Sequence, residues 1–174
     1  MDAWDRREKI LGKLKNTDRP VTGNELSKAF QVSRQVIVQD IALLRARGED
    51  ILATPQGYLI PKAYKKNRVI KKIVCKHKGY DEMEDELKII VDLGGKIIDV
   101  IVEHPLYGEI KSPLEISSRL DVEQFIENVK RTRAEPLSTL TDGIHIHTIE
   151  VEDEEVFNKI REALASKKYL ISGD

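Results

Sequence analysis

Apolar residues Trp4, Ile10, Leu11 and Leu14 recur at helical spacing, which predicts an amphipathic helix over residues 3–15, stopped by the polar stretch 16–20. Thr22, followed by Glu25, forms a capping-box pattern for a second helix ending near Phe30, with Leu26 and Ala29 as its buried face. After a tight turn at Gln31 and Val32, Ser33 is placed to cap a third helix over 34–47 that Gly48 ends. Val36, Ile37, Ile41 and Leu44 form the core side of that helix, leaving Arg34, Gln35, Val38 and Gln39 outward at its N-terminal end. Residues 51–54 and 57–60 then flank Pro55, Gln56 and Gly57, which is hairpin chemistry.

Three helices and a hairpin make the winged helix-turn-helix plan, in which the start of the third helix enters a major groove about 12 Å wide. Arginine and glutamine pair bidentately with guanine and adenine edges. Within the inserted segment 33–40, which includes Ser33 and Val38, the candidate base readers are Arg34, Gln35 and Gln39. Lys28, Arg45, Arg47 and the wing at Gln56 are candidates for phosphate or flanking contacts. The alternative is a trihelical protein-interaction domain that binds no DNA. The run "VTGNELSKAFQVSRQVIVQDIALLRARG" followed by "ILATPQGYLI" resembles the N-terminal winged helix of biotin-repressor-like bacterial regulators.

Beyond residue 68 the pattern changes. Strand-like runs at 69–77, 96–103, 109–116, 144–149 and 169–171 alternate with helical patterns at 81–93, 121–131 (capped by Asp121) and 153–166, while 135–143 reads as loop. The order β-α-β-β-α-β-α-β implies an α+β layer with helices on one sheet face. The expected organisation is a winged helix-turn-helix domain over 1–61, a basic linker over 62–68, and an α+β regulatory domain over 69–174.

Charge divides the chain in the same place. Residues 1–61 carry 10 Lys+Arg against 8 Asp+Glu, residues 62–78 carry 8 basic residues and no acid, and residues 79–174 carry 11 against 22. The formal net charge of −1 therefore averages a basic front with an acidic back, implying two bodies with different partners. The basic run is either a solvated linker or a phosphate contact. No apolar run approaches the roughly 18–20 residues of a membrane span, and the start lacks a secretory pattern, so a cytoplasmic protein without a membrane partner is expected. A single cysteine, Cys75, rules out an intramolecular disulfide framework.

All four histidines fall in the second domain, after residue 68: His77, His104, His145 and His147. The strand period of two puts His145 and His147 on one face. Paired imidazoles are poor core material and good ligands for a first-row divalent metal. His77 at another strand end can add a nitrogen, and Glu86 on the following helix a carboxylate. The competing reading is the polar face of an exposed strand. His104, between Glu103 and Pro105, is either a turn residue or part of an effector pocket, the turn being favoured.

The segments "CKHKG", "GGKIIDVIVEHPLYGEI" and "AEPLSTLTDGIHIHTIE", together with the winged helix before them, resemble the nicotinate-responsive transcriptional repressors of NAD biosynthesis. Those proteins join a winged helix-turn-helix to a three-histidine (3H) regulatory domain. The resemblance covers essentially the whole chain, and it implies a metal held by His77, His145, His147 and an acid. The family's glutamate precedes a leucine, which points to Glu86 before Leu87; a one-residue difference in the preceding loop keeps Asp85 and Glu82 open. Nickel, zinc and iron all suit such a donor set.

The resemblance further implies a homodimer on double-stranded operator DNA, with nicotinic acid as co-repressor, and no enzymatic activity. Two rivals are a metal-dependent hydrolase acting on a small carboxylate or amide, and a DNA-bound scaffold without effector response. No H-E-x-x-H signature or nucleophile constellation favours the first.

Overall fold

The computed structural model describes residues 1–61 and 68–173, and the chain divides into two compact units, Met1–Ala63 and Tyr64–Asp174. The basic linker expected over 62–68 lies, except for Arg68, outside the described residues. Among the described residues, no helix is long and apolar enough to cross a membrane.

In the first unit, α1 (Ala3–Lys15), α2 (Gly23–Phe30) and α3 (Arg34–Ala46) precede a hairpin of β1 (Leu52–Thr54) and β2 (Gly57–Leu59). Thr22 and Glu25 complete the capping box of α2, and Ser33 Oγ accepts the Val36 amide at the start of α3. Ile10, Leu11, Leu14, Val21, Leu26, Ile37, Ile41, Leu44 and Ile51 form the core. Two expected core residues are elsewhere. Trp4 is 62% exposed, because the apolar contacts of α1 come from Ile10, Leu11 and Leu14 in its second half, and Ala29 is exposed while Phe30, one turn after Leu26, packs instead. Val36 is half-buried. Gly57 has φ +128°, and a Cβ there would lie 2.6 Å from the Val21 backbone, with which Tyr58 exchanges hydrogen bonds. Only glycine closes the wing onto that segment.

The second unit is α+β. The strands are β3 (Val69–Lys76), β4 (Lys96–His104), β5 (Gly108–Ile116) and β6 (Ile144–Val151), forming one antiparallel sheet in the order β3-β6-β4-β5. The helices are α4 (Tyr80–Asp92), α5 (Arg119–Thr132) and α6 (Glu154–Ser166). Met83, Leu87, Ile90, Val122, Ile126, Phe157, Ile160 and Leu164 from these helices pack with Ile73, Ile97, Ile116, Ile149 and Val151 from the sheet.

Three expectations needed correction. The cap of α5 is Ser118, and Asp121 is the third helical residue of its capping box, reaching back to the cap amide. The segment read as loop contains a 3-10 helix, Leu137–Thr141. The final strand reduces to an isolated bridge between Leu170 and Cys75, which shields the free edge of β3.

Candidate functional site

The register of β3 on β6 sets Cys75 opposite His145 and Ile73 opposite His147. Ile73 and Cys75 belong to the helix-covered core, so both histidines point into that face. His77 follows directly after β3, and Glu86 lies in the middle of α4. His77 is 7% exposed, His145 and His147 are 3% exposed, and Glu86 is fully buried. Burial removes the reading of His145 and His147 as an exposed polar face.

All three imidazoles turn Nε2 toward the Glu86 carboxylate. His77 Nε2 contacts Oε2 directly, His145 Nε2 lies 3.1 Å from Oε1, and His147 Nε2 lies 3.6 Å from Oε2. Ring centroids are 4.6 Å apart for His77 and His145, and 4.9 Å for His145 and His147. Burial works against the Glu86 charge. The surrounding histidines, His147 foremost, outweigh it and hold the carboxyl well below the usual carboxylate range. For His145, burial disfavours protonation, but the hydrogen bond and charge of Glu86 prevail and raise its pKa.

The outer nitrogens are fixed as well. His145 Nδ1 donates to the Gly143 carbonyl at 2.8 Å, and His147 Nδ1 donates to the Asp99 carbonyl at 2.7 Å. A carbonyl oxygen has no hydrogen to give, so each Nδ1 carries one. The neutral ring then presents a lone pair at Nε2. A lone pair 3.1 Å from a carboxylate oxygen is repulsive unless a proton or a cation sits between them. Donor atoms of His77, Glu86 and His145 all lie within 4.8 Å of one another. Imidazole nitrogens with one carboxylate, in tautomers fixed by outer hydrogen bonds, fit a divalent transition metal.

The other candidate acids are occupied. Asp85 accepts the Tyr169 hydroxyl at 2.8 Å, and the exposed Glu82 accepts the Lys78 amide at 2.8 Å. His104 serves its turn: Nδ1 accepts the amides of Leu106 at 3.1 Å and Tyr107 at 3.2 Å. A cavity of about 370 Å³ instead opens beside His77, lined also by Lys78, Tyr80, Met83, Ser138 and Asp142, and His104 has no part in its wall. Lys78 Nζ pairs with Asp142 Oδ1 at 2.7 Å on that wall. The Cys75 thiol is buried and its pKa is pushed up, first by burial and then by Glu86, so it packs as an apolar group.

Sequence reasoning missed Gly143, whose carbonyl serves both His145 Nδ1 and the His77 amide. The signal available was a glycine two residues before a histidine. Gly143 adopts φ +89°, and a Cβ there would collide with the His77 carbonyl oxygen.

On the first unit, Arg34, Gln35, Val38 and Gln39 are all exposed on α3, and Ser33 is occupied as its cap. Arg45 is exposed, as is Lys28 on α2, while Arg47 is paired with Glu8 and Glu49. Gln56 is half-buried, its amide nitrogen has no hydrogen-bond partner among the described residues, and its Oε1 lies 3.2 Å from Thr54 Oγ1. It is therefore not extended outward from the wing. Asp40, also missed, is 2% exposed and receives Arg6 through Nε at 2.6 Å and a terminal nitrogen at 3.2 Å. An acid among Ile37, Ile41 and Leu44 on the buried stripe of α3 was the available signal.

Residues 6–59 match an HTH domain family, and residues 70–173 match the 3H domain family. The chain is 44% identical over 167 residues to a probable transcription repressor NiaR of Thermotoga maritima, covering 96% of this chain and 94% of that protein. It is 40% identical over 168 residues to the transcription repressor NadR of Bacillus subtilis, covering 96% and 93% respectively.

Proposed function

Because this chain belongs to the family of transcription repressors that join an HTH domain to a 3H domain, we propose that it is a metal-containing, nicotinate-responsive repressor. Its targets on this reading are genes of NAD biosynthesis and niacin uptake, bound as a homodimer whose two-fold axis sets two half-sites. The observation that carries the sensing half is the convergence of three histidine Nε2 atoms on the buried Glu86.

Nε2 of His77, His145 and His147 and a carboxylate oxygen of Glu86 would hold nickel, zinc or iron. When bound, the ion supplies positive charge and a coordination position that suit a small carboxylate. The cavity beside His77 is the natural seat for the rest of the effector: Tyr80 and Met83 offer apolar contact, and Lys78 would meet an anionic group only by turning from the Asp142 carboxylate with which it is paired. On this reading the effector sits at His77, and His104 is left to its turn.

On the DNA side, Arg34, Gln35 and Gln39 read bases, and Lys28, Arg45 and Arg47 meet phosphates or flanking positions. A co-repressor strengthens operator binding only by binding the DNA-competent arrangement more tightly than the free one, and a coupling of about 1–3 kcal/mol suffices. No catalytic step is assigned to the centre.

The test is operator binding by the full chain with and without nicotinic acid, before and after treatment with a chelator. Effector-dependent tightening that disappears with the metal and returns on its restoration is expected. Operator binding indifferent to nicotinic acid in the metal-loaded protein contradicts the sensing role, and turnover of nicotinamide or a related amide would favour a hydrolase.

A further inference from the structure

The pairing of β4 with β6 is interrupted beside the histidines. Ile97 stands opposite Ile149, yet Asp99 stands opposite Thr148, so Ile98 is the extra residue of a β-bulge. Such an insertion shifts the phase of the strand and re-aims its backbone groups. Val100, and not Asp99, then pairs with His147, while Asp99 falls in line with Thr148.

Asp99 is 2% exposed and engaged through three of its atoms. Its carbonyl accepts His147 Nδ1–H at 2.7 Å, its Oδ1 accepts the Thr148 amide at 3.0 Å, and Oδ2 lies 3.4 Å from Lys111 Nζ on the neighbouring β5. One residue thus grips β6 at two successive positions, by its side chain at Thr148 and by its backbone at His147.

We propose that Asp99 is a positioning residue for the metal centre: its carboxylate pins the bulge to β6 through the Thr148 amide, and its own carbonyl is thereby held on His147 Nδ1, fixing the tautomer that presents Nε2 toward Glu86. The proposal rests on the metal reading above and adds to it the group that prepares one ligand. The acceptor oxygen at Oδ1 is the required feature. The negative charge, shared with the exposed Lys111, is secondary.

The experiment compares wild type, Asp99→Asn and Asp99→Ala as full chains, with helical and strand content checked by circular dichroism. Histidine 15N NMR on the metal-stripped proteins, at a pH where the rings are neutral, reads which nitrogen of His147 carries hydrogen. Competition against a coloured chelator reads zinc(II) affinity. Wild type is expected to carry the hydrogen on Nδ1. Asp99→Ala is expected to show mixed tautomers and zinc affinity reduced about 10–100-fold, with Asp99→Asn, whose amide oxygen still accepts from Thr148, within about threefold of wild type.

A wild-type His147 bearing its hydrogen on Nε2 overturns the proposal, as does a folded Asp99→Ala that keeps zinc affinity within about threefold, well short of the usual cost of losing such an outer partner. Asp99→Asn binding as weakly as Asp99→Ala also overturns it, by making charge the requirement. If Asp99→Ala does not fold, the wild-type tautomer and the Asn variant decide the matter. A wild type that binds no zinc or nickel defeats the metal reading separately, and the tautomer still reports on Asp99.

Discussion

His145 Nε2 stands 3.1 Å from Oε1 of the fully buried Glu86, while the opposite nitrogen of the same ring is committed to the Gly143 carbonyl. The geometry demands a positive species between two acceptors, and on the proposed metal reading a proton and a metal ion would compete for that place.

This competition fixes a pH dependence. Glu86 raises the His145 pKa above the 6.5 of a free imidazole, so the stability from this contact in metal-free protein is fully present below 6.5 and is lost as pH rises through the raised value. Metal affinity runs the other way, rising over the same range, because binding must expel the proton. Thermal unfolding of chelator-stripped protein against pH, with calorimetric titration in two buffers of different ionisation enthalpy, checks both. Metal uptake that releases no protons near neutral pH argues against the competition.

Gly143→Ala places a Cβ at φ +89° against the His77 carbonyl oxygen. The expected cost is about 1–3 kcal/mol of stability from the backbone strain, with a loss of metal affinity because His77 and His145 both hang on this residue. Denaturant unfolding and elemental analysis of the purified variant measure the two effects. Full metal content at wild-type stability would show that this turn does not position the ligands.

Asp40→Ala leaves Arg6 without its buried acceptor and loosens α3 from α1. A loss of about 2 kcal/mol is expected, from charge-assisted hydrogen bonds whose remaining partner is half-buried. Asp40→Asn keeps an acceptor and should lose less. Chemical denaturation reads the difference; an Asp40→Ala midpoint indistinguishable from wild type would show that Asp40 does not hold α3 against α1.

Arg34→Ala should weaken specific operator binding by about 1–3 kcal/mol and relax preference at one base position. Binding titrations on operator and random duplexes at one salt concentration separate the cases. Equal losses on both would assign Arg34 to phosphate contact.

At the acidic end, Glu25 is held down to about 2 by Arg19 and by the Thr22 amide, against 4.5 for a free glutamate. Its contribution is present above the free value and is lost as pH falls through about 2. Both partners are substantially exposed, so salt should weaken the effect. Glu25→Gln should flatten the acid limb of the stability profile of the full chain. An unchanged limb would mean that other carboxylates govern it.

Local chemistry made much of this legible. The helix starts at Thr22 and Ser33, the hairpin around Gly57 and the common face of His145 and His147 all follow from short-range rules: side-chain caps, glycine in a left-handed turn, and a period of two. Trp4 and Ala29 were misplaced because periodicity says which side of a helix is apolar without saying how far along it the partner reaches. Asp121 looked like a cap because acids favour both the cap and the third helical position, and Ser118 settled which role it takes. The choice among Glu82, Asp85 and Glu86 turned on the rotation of α4 against the sheet. A rotation of about 100° per residue along a helix sends neighbouring carboxylates to different environments.

The sequence by itself determined that two differently charged bodies share one chain, that the first has a helix-turn-helix with a wing, and that histidines gather chemistry in the second. Tertiary structure alone decided that these histidines are buried around Glu86, that Gly143 and Asp99 orient their rings, that His104 serves a turn, and that Asp40 ties α3 to α1. The physical reason is range: caps, turns and strand alternation act within a few residues, whereas a buried charge is placed by strand register, a bulge and helix packing between residues as distant as Glu86 and His145.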